Sequence, residues 1–115
     1  MNRINVMVNG KELELTNLEK VFFEEKKLTK GDLIKFYIEI APWILPHLVN
    51  RPIVMKRYPD GIAGKSFYQK RCPEHAPEWM ETVLVEGDEE SINYCLCSDE
   101  AALAWLINQG CLELH

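Results

Sequence analysis

The stretch Met55-Lys-Arg-Tyr-Pro-Asp-Gly-Ile-Ala-Gly-Lys-Ser-Phe-Tyr-Gln-Lys70 contains two runs of residues suited to strands, separated by a Pro-Asp-Gly turn. The pattern predicts strands over residues 52–58 and 66–70, with alternate side chains on one face. Lys56, Phe67 and Tyr68 are therefore expected to lie near one another. Four basic residues and three aromatic rings in this stretch are typical of a surface that binds a nucleic-acid strand.

Charge is distributed unevenly along the chain. The sequence has 13 basic and 18 acidic residues, which gives a formal net charge of −5. All the basic residues lie within residues 1–71, whereas residues 72–115 contain ten acidic residues and no basic ones. Neutralising phosphates releases counterions, so the basic part is suited to contact nucleic acid. On charge alone, a solvated surface without a ligand is an equal alternative.

Length and composition favour one domain over residues 1–115, with 47% hydrophobic residues to form a core. No apolar run approaches the roughly 18 residues of a membrane span, and the first residues lack the apolar region of a signal peptide. We therefore expect a cytoplasmic protein without a membrane contact. The cysteines lack zinc-ribbon spacing and are expected to be buried free thiols: Cys72, Cys95, Cys97 and Cys111.

The remaining patterns predict an α+β fold, with a small mixed or antiparallel sheet and packed helices. Asn9-Gly10 predicts a type I′ hairpin near the start of the chain. Thr29 and Asp32 resemble the start of a helix bounded by Pro42 and Pro46. A second hairpin is expected over 82–97, then a helix ending at residue 109 and a strand over 112–115. The apolar stripe of the first helix is expected to be core, as are the tryptophans: Leu33, Phe36, Tyr37, Ile40, Trp43, Ile44, Trp79 and Trp105.

Motifs of several catalytic classes are absent from the sequence. It contains no Asp-x-Asp pair, no Gly-x-x-x-x-Gly-Lys-Ser/Thr loop, no His-Glu-x-x-His and no Gly-x-Ser-x-Gly. These absences count against two-metal nucleotidyl transfer within this chain, P-loop nucleoside triphosphatases, zincins and α/β-hydrolases. The Asp-Gly after Lys56 is two residues too distant for the Lys-x-Asp-Gly of an adenylated ligase lysine. His47 and His75 are interpreted as structural or exposed.

The order of eight short motifs resembles the polymerase domain of bacterial and archaeal DNA ligase D, a member of the archaeo-eukaryotic primase superfamily. Each motif is weak alone, but their order and spacing are specific. The resemblance implies that the chain is the N-terminal portion of a primase-polymerase that fills gaps in non-homologous end joining. The motifs are Leu15-Thr-Asn-Leu-Glu-Lys20, Thr29-Lys-Gly-Asp-Leu33, Ala41-Pro-Trp-Ile-Leu-Pro-His-Leu48, Arg51-Pro52, Lys56-Arg-Tyr-Pro-Asp-Gly61, Phe67-Tyr-Gln-Lys70, Ala76-Pro-Glu-Trp79 and Leu112-Glu-Leu-His115.

The resemblance implies a DNA site at which Asn17, Lys20 and Lys30 hold the 5′-phosphate of an end or a gap. Two ammonium groups and an amide suit a dianionic phosphate, and backbone N–H groups at the predicted helix start would add to them. Phe67 and Tyr68 correspond to aromatics that stack on the template. Because neighbours on a strand face opposite sides, we expect one of them to contact a base and the other to pack inward.

The resemblance further implies that Lys56, Arg57 and His115 contact an incoming nucleoside triphosphate. Family members hold Mn²⁺ or Mg²⁺ with aspartates that lie downstream of the segment matched here, so this chain alone is expected to bind no metal and to polymerise nothing. A Ku-type end-binding protein and a ligase domain are candidate partners. The alternatives are a non-catalytic module that binds DNA ends or a partner, and an interaction protein whose acidic half binds a basic partner.

Overall fold

The computed structural model describes residues 3–115, which form ten strands and two helices. Every strand pairing is antiparallel and the sheets are small, which confirms the predicted α+β fold class. The elements are β1 (Arg3–Val8), β2 (Lys11–Thr16), β3 (Val21–Phe23), β4 (Leu28–Thr29), α1 (Lys30–Leu48), β5 (Pro52–Ile53), β6 (Met55–Arg57), β7 (Phe67–Gln69), β8 (Thr82–Glu86), β9 (Ser91–Leu96), α2 (Glu100–Asn108) and β10 (Cys111–Leu114). The sheets are β1-β2, β3-β4, β10-β6-β7 and β5-β9-β8.

The first hairpin forms as its turn residues predict. Asn9 and Gly10 both have positive φ, 52° and 77°, the backbone that a type I′ turn needs. The turn sets the register of β1 and β2, with Val8 opposite Lys11 and Val6 opposite Leu13. Leu13 and Leu15 are thereby directed into the core, where both are buried.

Helix α1 begins where predicted but ends later. Thr29 and Asp32 form a capping box, in which the Thr29 hydroxyl accepts from the Asp32 N–H and the Asp32 carboxylate accepts from the Thr29 N–H. The prediction that Pro42 and Pro46 bound the helix is wrong, because α1 continues through both to Leu48. Both prolines lie on the exposed side of the helix, where water can satisfy the carbonyls that lack an N–H partner.

The core is built around α2, whose residues 101–108 are all buried. Helix α1 packs on the core through the buried side chains of Ile34 and Ala41, and Leu33, Tyr37 and Ile44 of the predicted stripe are partly buried against it. Phe36 is 52% exposed and Trp43 is 71% exposed, so the prediction of a core position is wrong for these two side chains. Trp105 is buried as predicted, and Trp79 is half-buried with its Nε1 donating to the Glu12 carbonyl.

All four cysteines are buried, but only two are free. Cys72 and Cys95 form a disulfide, which contradicts the expectation of four free thiols. The Cys72 N–H donates to the Asn93 carbonyl at 2.7 Å, and this contact helps to bring Cys72 to Cys95, which is 23 positions away in the sequence. Burial raises the pKa of the Cys97 and Cys111 thiols to about 12, so both are protonated and unreactive at neutral pH.

Asn108 connects α2 to β2 inside the core. Its Oδ1 accepts from the Thr16 N–H at 3.0 Å, and its Nδ2 donates to the Glu14 carbonyl at 3.2 Å. The side chain is buried, and both of its polar atoms are satisfied. The contact also fixes the position of Thr16, which borders the cavity described below.

The substitution Asn108→Ala is expected to lower the free energy of unfolding by about 1–3 kcal/mol, because it leaves the Thr16 N–H without an acceptor. Urea unfolding at pH 7 would measure the loss. Asn5→Ala, at an exposed position of β1, serves as the control and should change stability by less than about 0.5 kcal/mol. Equal unfolding midpoints for Asn108→Ala and the wild type would contradict the structural role of this side chain.

Across the described residues, 3–115, neither helix is long and apolar enough to cross a membrane.

Candidate nucleic-acid interface

A cationic cavity lies where the loop after β2 meets the start of α1, the end of α2 and strand β6. Its volume is about 280 Å³, just below the roughly 300–1,000 Å³ usual for ligand sites. Three of its lining residues are basic and none is acidic. The cavity is lined by Thr16, Asn17, Lys20, Phe22, Lys30, Arg57, Pro59, Asn108, Gln109 and Gly110. The structure thus brings together the three residues predicted to hold a phosphate, Asn17, Lys20 and Lys30.

Lys30 is the most unusual of these side chains, because it is a cation that is only 5% exposed. Its Nζ donates to the Thr16 carbonyl at 2.6 Å and to the Thr16 hydroxyl at 3.2 Å. None of the ion pairs found among residues 3–115 includes it. Burial, helped by the charges of Lys20 and Arg57, lowers the pKa of Lys30 to about 8. A buried ammonium with neutral acceptors and two cations nearby is a favourable place for an anion.

The loop before the cavity is attached to the start of α1 by backbone hydrogen bonds. The Lys30 N–H donates to the Lys20 carbonyl and the Gly31 N–H to the Leu18 carbonyl, each at 2.8 Å. A Cβ at Gly31 would lie 3.1 Å from the Leu18 carbonyl oxygen, so glycine permits this close approach. Asn17 begins the loop with φ 53°, a conformation that asparagine tolerates.

These hydrogen bonds correct one part of the predicted phosphate site. The N–H groups of Lys30, Gly31 and Asp32 at the start of α1 all have partners within the protein. The helix start therefore does not offer the free backbone donors that were expected. An anion in the cavity has to be bound mainly by side chains, which raises the importance of the ammonium and guanidinium groups.

Lys20 is bound to the turn that connects β6 and β7. Its Nζ donates to the Pro59 carbonyl at 2.5 Å and to the Asp60 carboxylate at 3.2 Å. The Lys20 and Asp60 side chains are both exposed, so this ion pair contributes little to stability and can be exchanged for another anion. Lys20, which was predicted to bind a phosphate, therefore lies at the cavity, but its ammonium contacts Pro59 and Asp60 within the protein.

Arg57 also lines the cavity, although the resemblance groups it with Lys56. Its Nε donates to the Gln109 carbonyl and its Nη1 to Gln69 Oε1, both at 2.8 Å. The guanidinium carbon lies 5.4 Å from the centre of the Phe67 ring, within the range of a cation–π contact. The separation of Arg57 from Lys56 could have been predicted from the sequence, since adjacent residues on a strand face opposite sides of the sheet.

Lys56 faces the other side of the sheet and belongs to a second cluster centred on Glu113. The Lys56 ammonium lies 3.6 Å from Glu113 Oε2, which also accepts from the Tyr58 hydroxyl at 2.6 Å. Glu113 Oε1 lies 3.2 Å from His115 Nε2. The Tyr58 hydroxyl, His115 and Lys56 lower the pKa of the Glu113 carboxyl, while Tyr58 and Glu113 raise the pKa of Lys56. The structure therefore brings Lys56 and His115 together but separates Arg57 from them.

Phe67 and Tyr68 lie on opposite faces of β7, opposite Arg57 and Lys56 respectively. Phe67 is 46% exposed and Tyr68 is 61% exposed. The Lys56 ammonium lies 5.3 Å from the centre of the Tyr68 ring. The expectation that one of the two packs inward is wrong, because β7 is an edge strand and neither ring is covered. The prediction that Lys56, Phe67 and Tyr68 lie near one another is confirmed for Lys56 and Tyr68, whereas Phe67 lies on the other face beside Arg57.

The residues described here do not fit a divalent metal. No group of three or more His, Cys, Asp or Glu side chains within residues 3–115 is arranged to hold one. Glu113 is the carboxylate of the second cluster, and the Tyr58 hydroxyl, Lys56 and His115 lie around it.

Comparison of the structure with solved structures defines the class of fold. It matches the polymerase domain of Mycobacterium tuberculosis ligase D, solved in complex with DNA, with a TM-score of 0.83 and 31% sequence identity. The match covers 87% of this chain and 35% of that chain. The fold is therefore that of the N-terminal part of a primase-polymerase domain, as the sequence motifs predict.

The sequence comparisons agree with this class. The family model described as LigD, primase-polymerase domain, matches residues 29–115. A bifunctional non-homologous end joining protein LigD from Bacillus subtilis is 41% identical over 103 residues, which cover 90% of this chain and 16% of that protein. A multifunctional LigD from Mycolicibacterium smegmatis is 32% identical, over 90% of this chain and 14% of that protein. The chain belongs to the LigD primase-polymerase family, and it spans about a sixth of the length of these curated relatives.

Proposed function

We propose that this chain acts in DNA repair by non-homologous end joining, as the part of a primase-polymerase domain that binds a DNA end or gap through its 5′-phosphate. The observation that carries the proposal is the cavity at which Lys20, Lys30 and Asn17 meet without any acidic lining residue. The family assignment supports the same role, since relatives are named non-homologous end joining proteins and the structural neighbour was solved with DNA.

In the proposed complex the 5′-phosphate occupies the cavity and receives hydrogen bonds from Lys30, Lys20 and Asn17. Lys30 supplies a buried charge that no carboxylate neutralises in the described residues. Lys20 exchanges the Asp60 carboxylate for the phosphate, which carries more charge near neutral pH. Recognition of the phosphate needs no contact with base edges, so binding is expected to be independent of sequence.

The exposed rings of β7 supply the proposed stacking contacts. Phe67 lies on the side of Arg57 and the cavity, whereas Tyr68 lies on the side of Lys56 and His115. Every base offers a π-face, so such contacts position a template strand without reading its sequence. On this arrangement Phe67 stacks close to the 5′-phosphate, and Tyr68 stacks close to the incoming nucleotide.

The cluster around Glu113 is the proposed contact for a nucleoside triphosphate. Lys56 and His115 would bind its phosphates, while Glu113 holds both groups in place until the nucleotide arrives. The polymerisation that family membership implies uses Mn²⁺ or Mg²⁺, for which the described residues offer no site. We therefore propose that this chain contributes binding and positioning, and that the metal-binding carboxylates belong to the rest of a family domain. A Ku-type protein and a ligase domain remain proposed partners.

The first test measures fluorescence anisotropy of a labelled gapped duplex with and without a 5′-phosphate at the gap. The wild-type chain is expected to bind the phosphorylated duplex roughly tenfold or more tightly, because charge-assisted hydrogen bonds to the phosphate are lost without it. Lys20→Gln should reduce this preference, whereas Lys26→Gln should leave it unchanged, because Lys26 lies outside the cavity. Equal affinity of the wild type for the two duplexes would exclude the proposed phosphate site.

A further inference from the structure

Arg57 projects toward the phosphate cavity from the strand that also carries Lys56. The two side chains leave β6 on opposite faces, and they have no partner in common. Arg57 lines the cavity with Lys20 and Lys30, and its charge is close enough to contribute to the lowered pKa of Lys30. Arg57 therefore belongs to the cationic cavity and not to the Glu113 cluster.

The Arg57 guanidinium is held in a fixed orientation and has N–H donors that form no hydrogen bond within the described residues. Of its five N–H bonds, one on Nε donates to the Gln109 carbonyl and one on Nη1 to Gln69 Oε1. Within the described chain no acidic side chain forms an ion pair with Arg57. Three N–H bonds therefore remain, on a planar group whose orientation is set by Gln109, Gln69 and the Phe67 ring. Such a fork matches two oxygens of a phosphate.

A half-buried arginine held in this way is difficult to explain by stability alone. Bringing Arg57 next to Lys30 places two positive charges near one another without a compensating carboxylate on the cavity wall. Like charges in a partly desolvated site destabilise the free protein. An anion that binds both groups would reverse this effect, because each cation would then gain a partner.

From this geometry we infer that Arg57 is a fourth ligand of the 5′-phosphate and that it connects the phosphate cavity to the stacking surface of Phe67. The inference rests on the proposed function and deepens it, since it moves Arg57 from the nucleotide cluster to the DNA end. One guanidinium edge binds phosphate oxygens, while its face contacts the ring on which the template base stacks. Arg57 thereby sets the distance between the phosphate and the first stacked base.

The test compares Arg57 with an exposed lysine outside the cavity and outside the Glu113 cluster. Arg57→Gln is expected to reduce the preference for a 5′-phosphorylated gapped duplex by roughly 10- to 100-fold, limited by the size of the wild-type preference. Lys26→Gln, the control, should leave that preference intact. Arg57→Lys keeps the positive charge but loses the planar pair of N–H donors. Its preference should therefore be only slightly larger than that of Arg57→Gln. Full preference in Arg57→Gln, or full recovery in Arg57→Lys, would overturn the inference.

A second measurement uses the wild-type chain and does not depend on the folding of a variant. Phenylglyoxal modifies arginine, and mass spectrometry reports the extent at each position. The phosphorylated duplex is expected to protect Arg57 much more than the unphosphorylated duplex does, while exposed Arg3, Arg51 and Arg71 show no phosphate-dependent protection. Equal protection of Arg57 by the two duplexes would contradict a phosphate contact.

The outcomes separate failure of the inference from failure of the proposed function. If the wild type shows no phosphate preference, the proposed function fails and Arg57 has no phosphate to bind. If the wild type prefers the phosphate and Lys20→Gln weakens that preference, but Arg57→Gln does not, only the inference fails. Selective loss in Arg57→Gln, with an unchanged phosphate preference in Lys26→Gln and phosphate-dependent protection of Arg57, supports both.

Discussion

Replacing Lys30 with methionine is expected to reduce the preference for a 5′-phosphorylated gapped duplex by roughly 10- to 150-fold, limited by the size of the wild-type preference. The lost interaction is a charge-assisted hydrogen bond in a partly desolvated site, a type that contributes about 1.5–3 kcal/mol. The effect should exceed that of Lys20→Gln, because Lys30 is only 5% exposed whereas the Lys20 side chain is open to solvent. Titration of the labelled duplexes by anisotropy at pH 7 measures the change.

The stability of the Lys30→Met variant provides the control for this experiment. Methionine fills much of the space of the lysine stem and removes a buried charge, although it also loses the two hydrogen bonds to Thr16. We expect these effects to offset one another within about 1 kcal/mol in the free energy of unfolding. An undiminished phosphate preference in a folded Lys30→Met variant would show that Lys30 does not bind the phosphate.

Local signals in the sequence predicted the local structure well. The Asn9-Gly10 turn, the Thr29 cap and the strands that carry Lys56 and Tyr68 all depend on residues close together in the chain, and the structure confirms each of them. The exposure of Trp43 could not be predicted in this way. Apolar spacing says that a helix has an apolar face, but the packing of α1 on α2 decides which part of that face is covered.

The cationic cavity was partly predictable, because the motifs identify Asn17, Lys20 and Lys30 individually. Their meeting point could not be read from the sequence, since it depends on contacts between distant segments, such as Lys20 with the turn at Asp60. The preceding loop accepts hydrogen bonds from the first N–H groups of α1, and this too could not be predicted, because backbone acceptors leave no pattern in the sequence. The position of Arg57 is an intermediate case, because strand alternation separates it from Lys56 but does not say which face borders the cavity.

The preference for the 5′-phosphate is also expected to decline as pH rises above 8. The pKa of Lys30 is lowered to about 8 in the free protein, and a bound phosphate dianion would raise it, so the complex holds the proton more tightly than the free chain does. The phosphate preference is therefore fully present below about pH 7.5 and is lost as Lys30 deprotonates. The phosphate itself is already a dianion above pH 7, because its second pKa is about 6.

Anisotropy titrations at pH 7, 8, 9 and 9.5, at constant ionic strength, test this dependence. The wild-type preference is expected to fall by roughly tenfold or more across the series. Each unit of pH above the pKa of Lys30 in the free protein lowers the preference by up to a factor of ten. Lys30→Met should show a small preference that does not change over the same range, since arginine stays protonated throughout. A wild-type preference that is constant from pH 7 to 9.5, or a decline of the same size in Lys30→Met, would mean that the charge on Lys30 does not control phosphate binding.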